Sequence, residues 1–148
     1  MNFLTQSQQD CYQKVAGWLP EICDRVSIPI ADKPMFSVQI GSATVLVEIR
    51  HTETLDEIIY IWAYVATEVE TRPDLLRFLL RQNYDFRFGG FSMADEGDIR
   101  FHVTLLGNNC DANEFKLALT EVLESADHFD DQIVERWGGR RATDTLFN

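Results

Sequence analysis

The sequence predicts an α+β fold: one antiparallel five-stranded sheet with helices packed on one face. Two observations predict it. Five short segments alternate apolar and polar residues, as strands with one buried face do. Three longer segments repeat apolar residues every three or four positions, as amphipathic helices do. The elements follow one another as α-β-β-β-α-β-β-α within 148 residues. That length and order indicate a single domain, 1–148, with residues 1–4 and 140–148 as candidate loose ends.

The first helix is predicted over residues 5–26. Thr5 and Gln8 have the spacing of a capping box, and apolar residues recur behind them at helical spacing. Pro20 conflicts with an unbroken helix, because a proline removes a backbone donor and clashes with the preceding turn. Two outcomes stay open: a kink at Pro20, or two shorter helices joined through residues 18–20.

Period-two alternation predicts the five strands. Gly41-Ser42 suits a two-residue hairpin turn after the first strand, and the polar residues 52–56 form the turn after the second. Gly89-Gly90 indicates a bulge or bend in the fourth strand. The predicted strand ranges are 36–40, 44–50, 57–67, 86–93 and 98–105.

The second and third helices have clear start signals. Arg72-Pro73-Asp74 opens the second helix, because proline is favoured in the first helical turn, and this helix runs to Asn83. Four leucines are predicted to line one of its faces: Leu75, Leu76, Leu79 and Leu80. In the third helix, Asp111 caps the first turn and Gly138-Gly139 provides the stop.

The charge balance excludes several classes of partner. The chain has 24 acidic and 13 basic residues and a net charge of −11. Nucleic-acid binding needs basic groups against phosphate, so it is not expected. Adsorption to an anionic membrane is not expected for the same reason.

The longest apolar run is far shorter than the ~20 residues that cross a bilayer, and no signal peptide is visible. The sequence therefore predicts a cytoplasmic protein.

Catalytic and metal-binding patterns are not found. Cys11, Cys23 and Cys110 form no C-x-x-C pair, which favours a reducing compartment over a disulfide framework. The histidines show no zinc-ligand spacing with them. The sequence contains no G-x-S-x-G, P-loop or dinucleotide fingerprint. It therefore predicts no catalytic residue, no metal and no cofactor, and so no enzyme.

Two stretches carry a family resemblance. Residues 88–99, F-G-G-F-S-M-A-D-E-G-D-I, and the acidic helix that ends in Arg136-Trp137-Gly138-Gly139 resemble the YbjN-like family and the related bacterial type III secretion chaperones. The element order resembles that family over nearly the whole chain. The resemblance implies the chaperone fold and no catalytic motif. It also implies a dimer that holds extended segments of other proteins, as type III members do, or a regulatory role, as proposed for the YbjN-like branch. The proline at position 20 and the aromatic third strand depart from the secretion chaperones.

The third strand is apolar on both faces. Small aliphatic residues occupy alternate positions from Ile59 to Val65, and Tyr60, Trp62 and Tyr64 lie between them. The aliphatic set is predicted to meet the helices, and the aromatic set is typical of a contact surface. The aromatic face is then covered by a terminus or loop, forms a homodimer interface, or makes a ligand or client groove. The reversed arrangement, with the aromatics in the core, also stays open.

Strand alternation places further side chains on the aromatic face. Leu46, Arg50, Arg100 and His102 belong to this set, and Arg87 is a nearby basic candidate. Arginines beside aromatics could clamp an acidic peptide or a carboxylate ligand. The alternative is a solvated face with cross-strand ion pairs, such as Glu48 with a neighbouring arginine.

These observations favour a non-enzymatic protein-binding module, chaperone-like or regulatory. It would act as a homodimer that buries partner surface against the outer sheet face or a sheet edge. The predicted site residues are Leu46, Arg50, Tyr60, Trp62, Tyr64, Arg87, Arg100 and His102. The alternative is a small-molecule binding protein or an enzyme with a pocket between the sheet and the helices.

Overall fold

The computed structural model describes residues 1–23, 27–40 and 43–142. Within these ranges the chain forms three helices and one seven-stranded sheet. The helices are α1 (Gln6–Ile22), α2 (Pro73–Asp85) and α3 (Ala112–Trp137). The strands are β1 (Ser27–Pro29), β2 (Met35–Ile40), β3 (Ala43–Thr52), β4 (Asp56–Thr67), β5 (Gly89–Met93), β6 (Ile99–Leu106) and β7 (Arg140–Arg141).

Every recorded strand pair is antiparallel, and the strand order is β1-β2-β3-β4-β6-β5, with β7 paired to the end of β4. The α+β fold and its element order are therefore confirmed. The five predicted strands are β2 to β6. The strand count differs because Ser27–Pro29, expected to end the first helical segment, forms an edge strand, and Arg140–Arg141, placed in the tail, pairs with Ala66 and Thr67.

The core lies between the sheet and the helices. On β4, Ile59 and Ile61 point to this side and are fully buried. Val15 of α1 and Phe115 and Leu119 of α3 belong to the same buried cluster. The aliphatic face of β4 therefore meets the helices, as predicted, and the reversed arrangement is wrong. Small branched side chains allow this close approach of helix to sheet.

Helix α1 is a single helix that contains Pro20. The two-helix alternative is wrong: the helix continues unbroken to Ile22, and Pro20 lies in its last turn, where only two helical residues follow the missing N–H donor. Cys23 is the C-cap, and residues 24–26 of the predicted helix lie outside the described residues, as does the predicted Gly41-Ser42 turn.

At the N-terminal end of α1, the Thr5 hydroxyl accepts from the Gln8 amide (3.0 Å) and donates to buried Glu57 of β4 (2.8 Å), which anchors α1 to the sheet.

The fourth predicted strand begins at Gly89 rather than at residue 86, because α2 continues to Asp85 and Phe86 caps it. The bulge predicted at Gly89-Gly90 is wrong: both glycines pair regularly with β6. The register shifts instead on β4, between Tyr64 and Ala66. Gly89 is required for space, because a Cβ there would lie 2.8 Å from the His102 carbonyl oxygen and from two side chains.

The four leucines of α2 do not share one face. Leu75 and Leu79 are buried against the core, whereas Leu76 and Leu80 are exposed. Neighbouring residues are turned by about 100° on a helix, so the two pairs form adjacent stripes rather than one. The prediction of a single leucine face is therefore wrong.

The glycines of this chain provide a stability test with opposite expected signs. We expect Gly89→Ala to destabilise the protein by about 2 kcal/mol, because the added methyl group overpacks a closed site. Gly17→Ala should stabilise it by about 0.5–1 kcal/mol, because position 17 is in α1 with open space around it. Urea unfolding followed by circular dichroism measures both. Equal effects of the two substitutions would contradict the close packing at Gly89.

Candidate functional site

The face of the sheet opposite the helices, here called the outer face, carries the aromatic row Tyr60, Trp62 and Tyr64 of β4. Antiparallel register places Leu46 of β3 beside Trp62 on one side and His102 of β6 on the other. Because side chains alternate along a strand, these residues point away from the helices. The structure thus brings together on one surface most of the residues that the sequence analysis named.

Two arginines lie over the aromatic row. Arg50 of β3 places its guanidinium carbon 4.2 Å from the centre of the Tyr60 ring. Arg100 of β6 lies 4.1 Å from the centre of the Trp62 ring and 4.8 Å from that of Tyr64, and its Nη2 donates to the Tyr64 hydroxyl at 3.0 Å. Such cation–π contacts are each worth about 0.5–2 kcal/mol, depending on exposure. Arg100 covers one face of the Trp62 ring, and Trp62 is 7% exposed.

The two arginines differ in their electrostatic surroundings. Arg50 pairs with Glu48 at 2.7 Å, along the same strand rather than across strands as predicted. Arg100 has no carboxylate within ion-pair distance among the described residues. The Nε of Arg100 and the Nε1 of Trp62 are both buried donors without an acceptor in the described part of the chain. The Arg100 side of the row therefore has unused hydrogen-bond donors and an unbalanced positive charge.

Burial shifts the pKa values of two rings of the outer face, His102 and Tyr60, in the direction that favours their neutral forms. Burial lowers the pKa of His102 below its ordinary value, and the nearby Arg100 charge lowers it further. Burial raises the pKa of Tyr60, against the opposing effect of the Arg50 and Arg100 charges. The positive charge of this surface therefore comes from its arginines. Arg87 does not add to it, because it lies exposed in the loop between α2 and β5, outside the sheet.

A cleft lies at the end of the aromatic row. The recorded pairs of β3 with β4 end at Leu46 and Trp62, although β3 begins at Ala43 and β4 continues to Thr67. The space between the separating strands is about 600 Å³. Its apolar wall includes Leu46, Trp62 and Tyr64, and its rim carries five carboxylates and one guanidinium: Glu68, Glu96, Asp98, Asp127, Asp130 and Arg140. We call it the β3–β4 cleft.

One edge of the sheet is closed by a side chain. The Asn83 carboxamide accepts from the Phe91 backbone amide at 2.7 Å and donates to the Phe91 carbonyl at 3.2 Å. It takes the two bonds that a further strand would make to β5 at this residue. Gly90 permits the approach, since a Cβ there would lie 3.2 Å from the Asn83 Oδ1. Blocking an edge in this way prevents pairing with other chains.

Sequence reasoning missed an apolar surface on α2. Leu76, Leu80 and Tyr84 recur every four residues and are 41%, 70% and 90% exposed. Exposed Phe88 follows the helix. We call the three helical residues the α2 stripe. The i, i+4, i+8 spacing was available in the sequence, but Leu76 and Leu80 were predicted to share one face with Leu75 and Leu79.

The cysteines and the described carboxylates do not form a reactive or metal site. All three cysteines are buried. Burial raises the pKa of Cys110 to about 11 and also raises the pKa of Cys11, so neither thiol is activated. Across the described ranges, no group of three or more histidines, cysteines and carboxylates could hold a metal ion. In the same ranges, no helix has the length and hydropathy needed to span a bilayer.

Three solved structures share the fold. A chain of the ExsC–ExsE complex aligns with a TM-score of 0.64 and 16% identity, over 85% of this chain and 95% of that one. A chain of the HopA1–SchA chaperone–effector complex gives 0.67 and 8%, over 87% and 99%. The Yersinia pestis type III secretion chaperone SycH in complex with a stable fragment of YscM2 gives 0.59 and 13%, over 80% and 98%. At these identities the similarity defines the fold, which is that of type III secretion chaperones.

The family follows from the sequence match. Residues 15–145 match the family described as T3SS (YopN, CesT) and YbjN peptide-binding chaperone 1. The chain therefore belongs to this family of peptide-binding chaperones, and the resemblance stated from residues 88–99 and the terminal helix is confirmed. A search of curated protein sequences gives no significant match.

Removing the Asn83 carboxamide should loosen the β5 edge. We expect Asn83→Ala to destabilise the protein by about 1–2 kcal/mol, because two hydrogen bonds to Phe91 are lost. Urea unfolding measures this change, and light scattering at rising concentration reports any new self-association. Asn113→Ala, at an exposed position in the first turn of α3, is the control and should be nearly neutral. A neutral Asn83→Ala would show that the carboxamide does not protect this edge.

Proposed function

We propose that this protein is a chaperone-like or regulatory module that holds an extended segment of a partner protein against its outer face or a free sheet edge. It would act in the cytoplasm, without catalysis. The observation that carries this proposal is the aromatic row, rigidified by arginines, on a sheet face that no described helix covers. Membership of a peptide-binding chaperone family supports it. Two of the similar structures are described as a chaperone–effector complex and a chaperone with a protein fragment.

The sheet determines where an added strand could pair. An extended segment gains backbone hydrogen bonds from an open edge and specificity from pockets for alternate side chains. The β5 edge is closed by Asn83 at Phe91. The β3–β4 cleft lies directly beside the aromatic row and is bounded by strand backbone on both sides. A segment lying in or across this cleft would contact Leu46, Trp62 and Tyr64, and it would bury their remaining apolar surface.

The alternative is a small-molecule binding protein or enzyme that uses the same cleft. Its volume is within the range of about 300–1,000 Å³ that ligand pockets occupy. Burial raises the pKa of Asp130 on its rim, and the charges of Asp131 and Asp127 add to this effect. The cleft extends from the opening between β3 and β4 to Asp127 and Asp130 of α3, so the helical layer bounds part of it. Its opening between the strands favours an extended ligand over a small compact one.

We also propose that the protein is a homodimer that associates through the α2 stripe. An exposed, continuous apolar surface on a soluble protein marks an association site. The α2 stripe is more exposed than the aromatic row, whose Trp62 is already covered by its own neighbours. This assignment moves the dimer interface away from the outer face and leaves that face free for a partner segment.

A charge placed at the cleft should abolish partner binding. We expect Leu46→Glu to lose most of the protein captured by wild type from a native lysate, because a carboxylate there opposes apolar contact beside Trp62. Leu46 is a cleaner probe than Trp62, since it is half-buried and Trp62 is nearly fully buried. Leu117→Glu adds the same charge on exposed α3 and is the matched control. Quantitative mass spectrometry of the captured proteins is the measurement. Identical capture by both variants would contradict the outer face as the site.

A charge in the α2 stripe should instead separate the dimer. We expect wild type to have about twice the chain mass of 17.1 kDa by light scattering, and Leu80→Glu to have the monomer mass. Leu117→Glu should remain dimeric. A wild type that is monomeric at all concentrations would contradict the homodimer. A dimer lost in Leu46→Glu but kept in Leu80→Glu would place the interface on the outer face.

A further inference from the structure

We propose that the guanidinium of Arg100 binds a carboxylate of the partner segment. The inference rests on the proposed function, because it assigns the chemistry of the segment that the outer face holds. The occupant is an extended, mainly apolar peptide with one carboxylate that reaches Arg100 beside Trp62 and Tyr64.

The Arg100 side chain is held in place before any partner arrives. It stacks on Trp62 at 4.1 Å and on Tyr64 at 4.8 Å, and it donates to the Tyr64 hydroxyl. An arginine normally loses much side-chain entropy when it binds an anion. Here the aromatic contacts already hold it in one position, so a carboxylate can bind with less of that cost.

The positive charge of Arg100 has no carboxylate partner in the described part of the chain. Arg50 is the informative comparison, because it also stacks on a tyrosine of the row but pairs with Glu48 at 2.7 Å. Among the described residues, one of the five N–H groups of the Arg100 guanidinium has an acceptor, the Tyr64 hydroxyl. Arg100 is also half-buried, so an ion pair formed there is screened less than one at Arg50.

Two buried hydrogen-bond donors on the Arg100 side of the row have no acceptor among the described residues. Arg100 Nε and Trp62 Nε1 are both without a hydrogen-bond partner in the described residues, and Trp62 is 7% exposed. A buried donor without an acceptor costs free energy. A carboxylate can accept several hydrogen bonds at once, and its planar fork matches that of the guanidinium. Because both atoms are buried, Arg100 has to shift on the Trp62 ring before a carboxylate can accept a hydrogen bond from either of them.

The acidic charge of the rest of the molecule favours a partner segment with one carboxylate over a polyacidic segment. The chain has a net charge of −11, and the nearby cleft rim carries Glu68, Glu96 and Asp98. A polyacidic segment would be repelled by these groups. Leu46 and the aromatic row instead favour apolar neighbours for the one carboxylate. That carboxylate can come from an aspartate or glutamate side chain or from a chain terminus.

Capped peptide pools test the inference. In each pool the peptides are ten residues long and random mixtures of uncharged residues, with one central position fixed as Glu, Gln or Lys. A fourth pool has Gln at the centre and a free carboxyl terminus. The fraction of each pool retained on immobilised protein is measured at low salt. We expect wild type to retain the Glu pool about tenfold better than the Gln pool, as a charge-assisted hydrogen bond provides. The Lys pool should not exceed the Gln pool.

Three variants control the result. Arg100→Met should remove the carboxylate preference, and Arg100→Lys should keep part of it. Arg50→Met should leave the preference unchanged, because Arg50 is already paired with Glu48. Thermal unfolding by circular dichroism verifies that each variant folds. In the wild-type NMR spectrum, the Trp62 indole N–H, assigned with Trp62→Phe, should shift with the Glu pool and not with the Gln pool.

The outcomes separate this inference from the proposed function. Retention of the Glu and Gln pools to the same extent, or a preference that survives Arg100→Met, overturns the carboxylate site. If those pools are still lost in Leu46→Glu, peptide binding by the outer face stands. If no pool is retained, both proposals fail. A preference for the free-terminus pool that depends on Arg100 supports the site and identifies a terminal carboxylate as its source.

Discussion

The rest of the structure depends on one constraint: β4 is apolar on both faces, while the helices cover one. Its aliphatic residues, among them Ile59 and Ile61, form the floor of the core under α1 and α3. Its aromatic residues are left on the other face. A sheet with one solvated face normally places polar residues there. This chain instead retains Tyr60, Trp62 and Tyr64 and covers them with arginines from the two flanking strands.

The arginine cover reduces the apolar area that the aromatic row exposes to water, and in the proposed function it also holds the row ready for a partner segment. Arg50 and Arg100 lie over neighbouring rings and cover part of their apolar surface; Arg50 is exposed to solvent, whereas Arg100 is half-buried. Each ring of the row is packed against a guanidinium group. Binding to the row requires little ordering of side chains, which is the main entropic cost at an interface. The two ends of the row differ in charge: Arg50 is paired with Glu48, whereas Arg100 has no carboxylate partner among the described residues.

The sequence was sufficient for the element order and for the two faces of β4, because both depend on local periodicity. Alternation separated the Tyr-Trp-Tyr row from the aliphatic set, residue type favoured placing the row opposite the helices with the reverse left open, and the burial of Ile59 and Ile61 in the core confirms that placement. Alternation could not show that Arg100 leans over Trp62, since that depends on side-chain rotamers across strands. It also could not show the cleft, which arises where β3 and β4 separate and β7 pairs further along. The binding role of these residues stays a prediction.

The errors have the same physical origin. Leucines 75, 76, 79 and 80 fit one wide helical face, and only the position of α2 at the β5 edge determines that Leu76 and Leu80 face outward. Gly89-Gly90 was assigned to a bulge from residue type. The actual reason for glycine at position 89 is that β6 packs too closely to leave space for a side chain. In each case a long-range contact determined the outcome that the local pattern left open.

The β5 edge of the sheet is closed to a further strand at Phe91. Asn83 occupies the hydrogen-bonding groups of Phe91 that would otherwise accept a strand from any chain. Away from that edge, the β3–β4 cleft interrupts the sheet next to the aromatic row. An added segment that pairs with backbone in this cleft lies immediately beside the rings and beside Arg100. Because the α2 stripe lies on the helical layer, a second copy bound there does not compete for the outer face. In the proposed arrangement, self-association and partner binding use separate surfaces, so a single substitution is expected to remove one without the other.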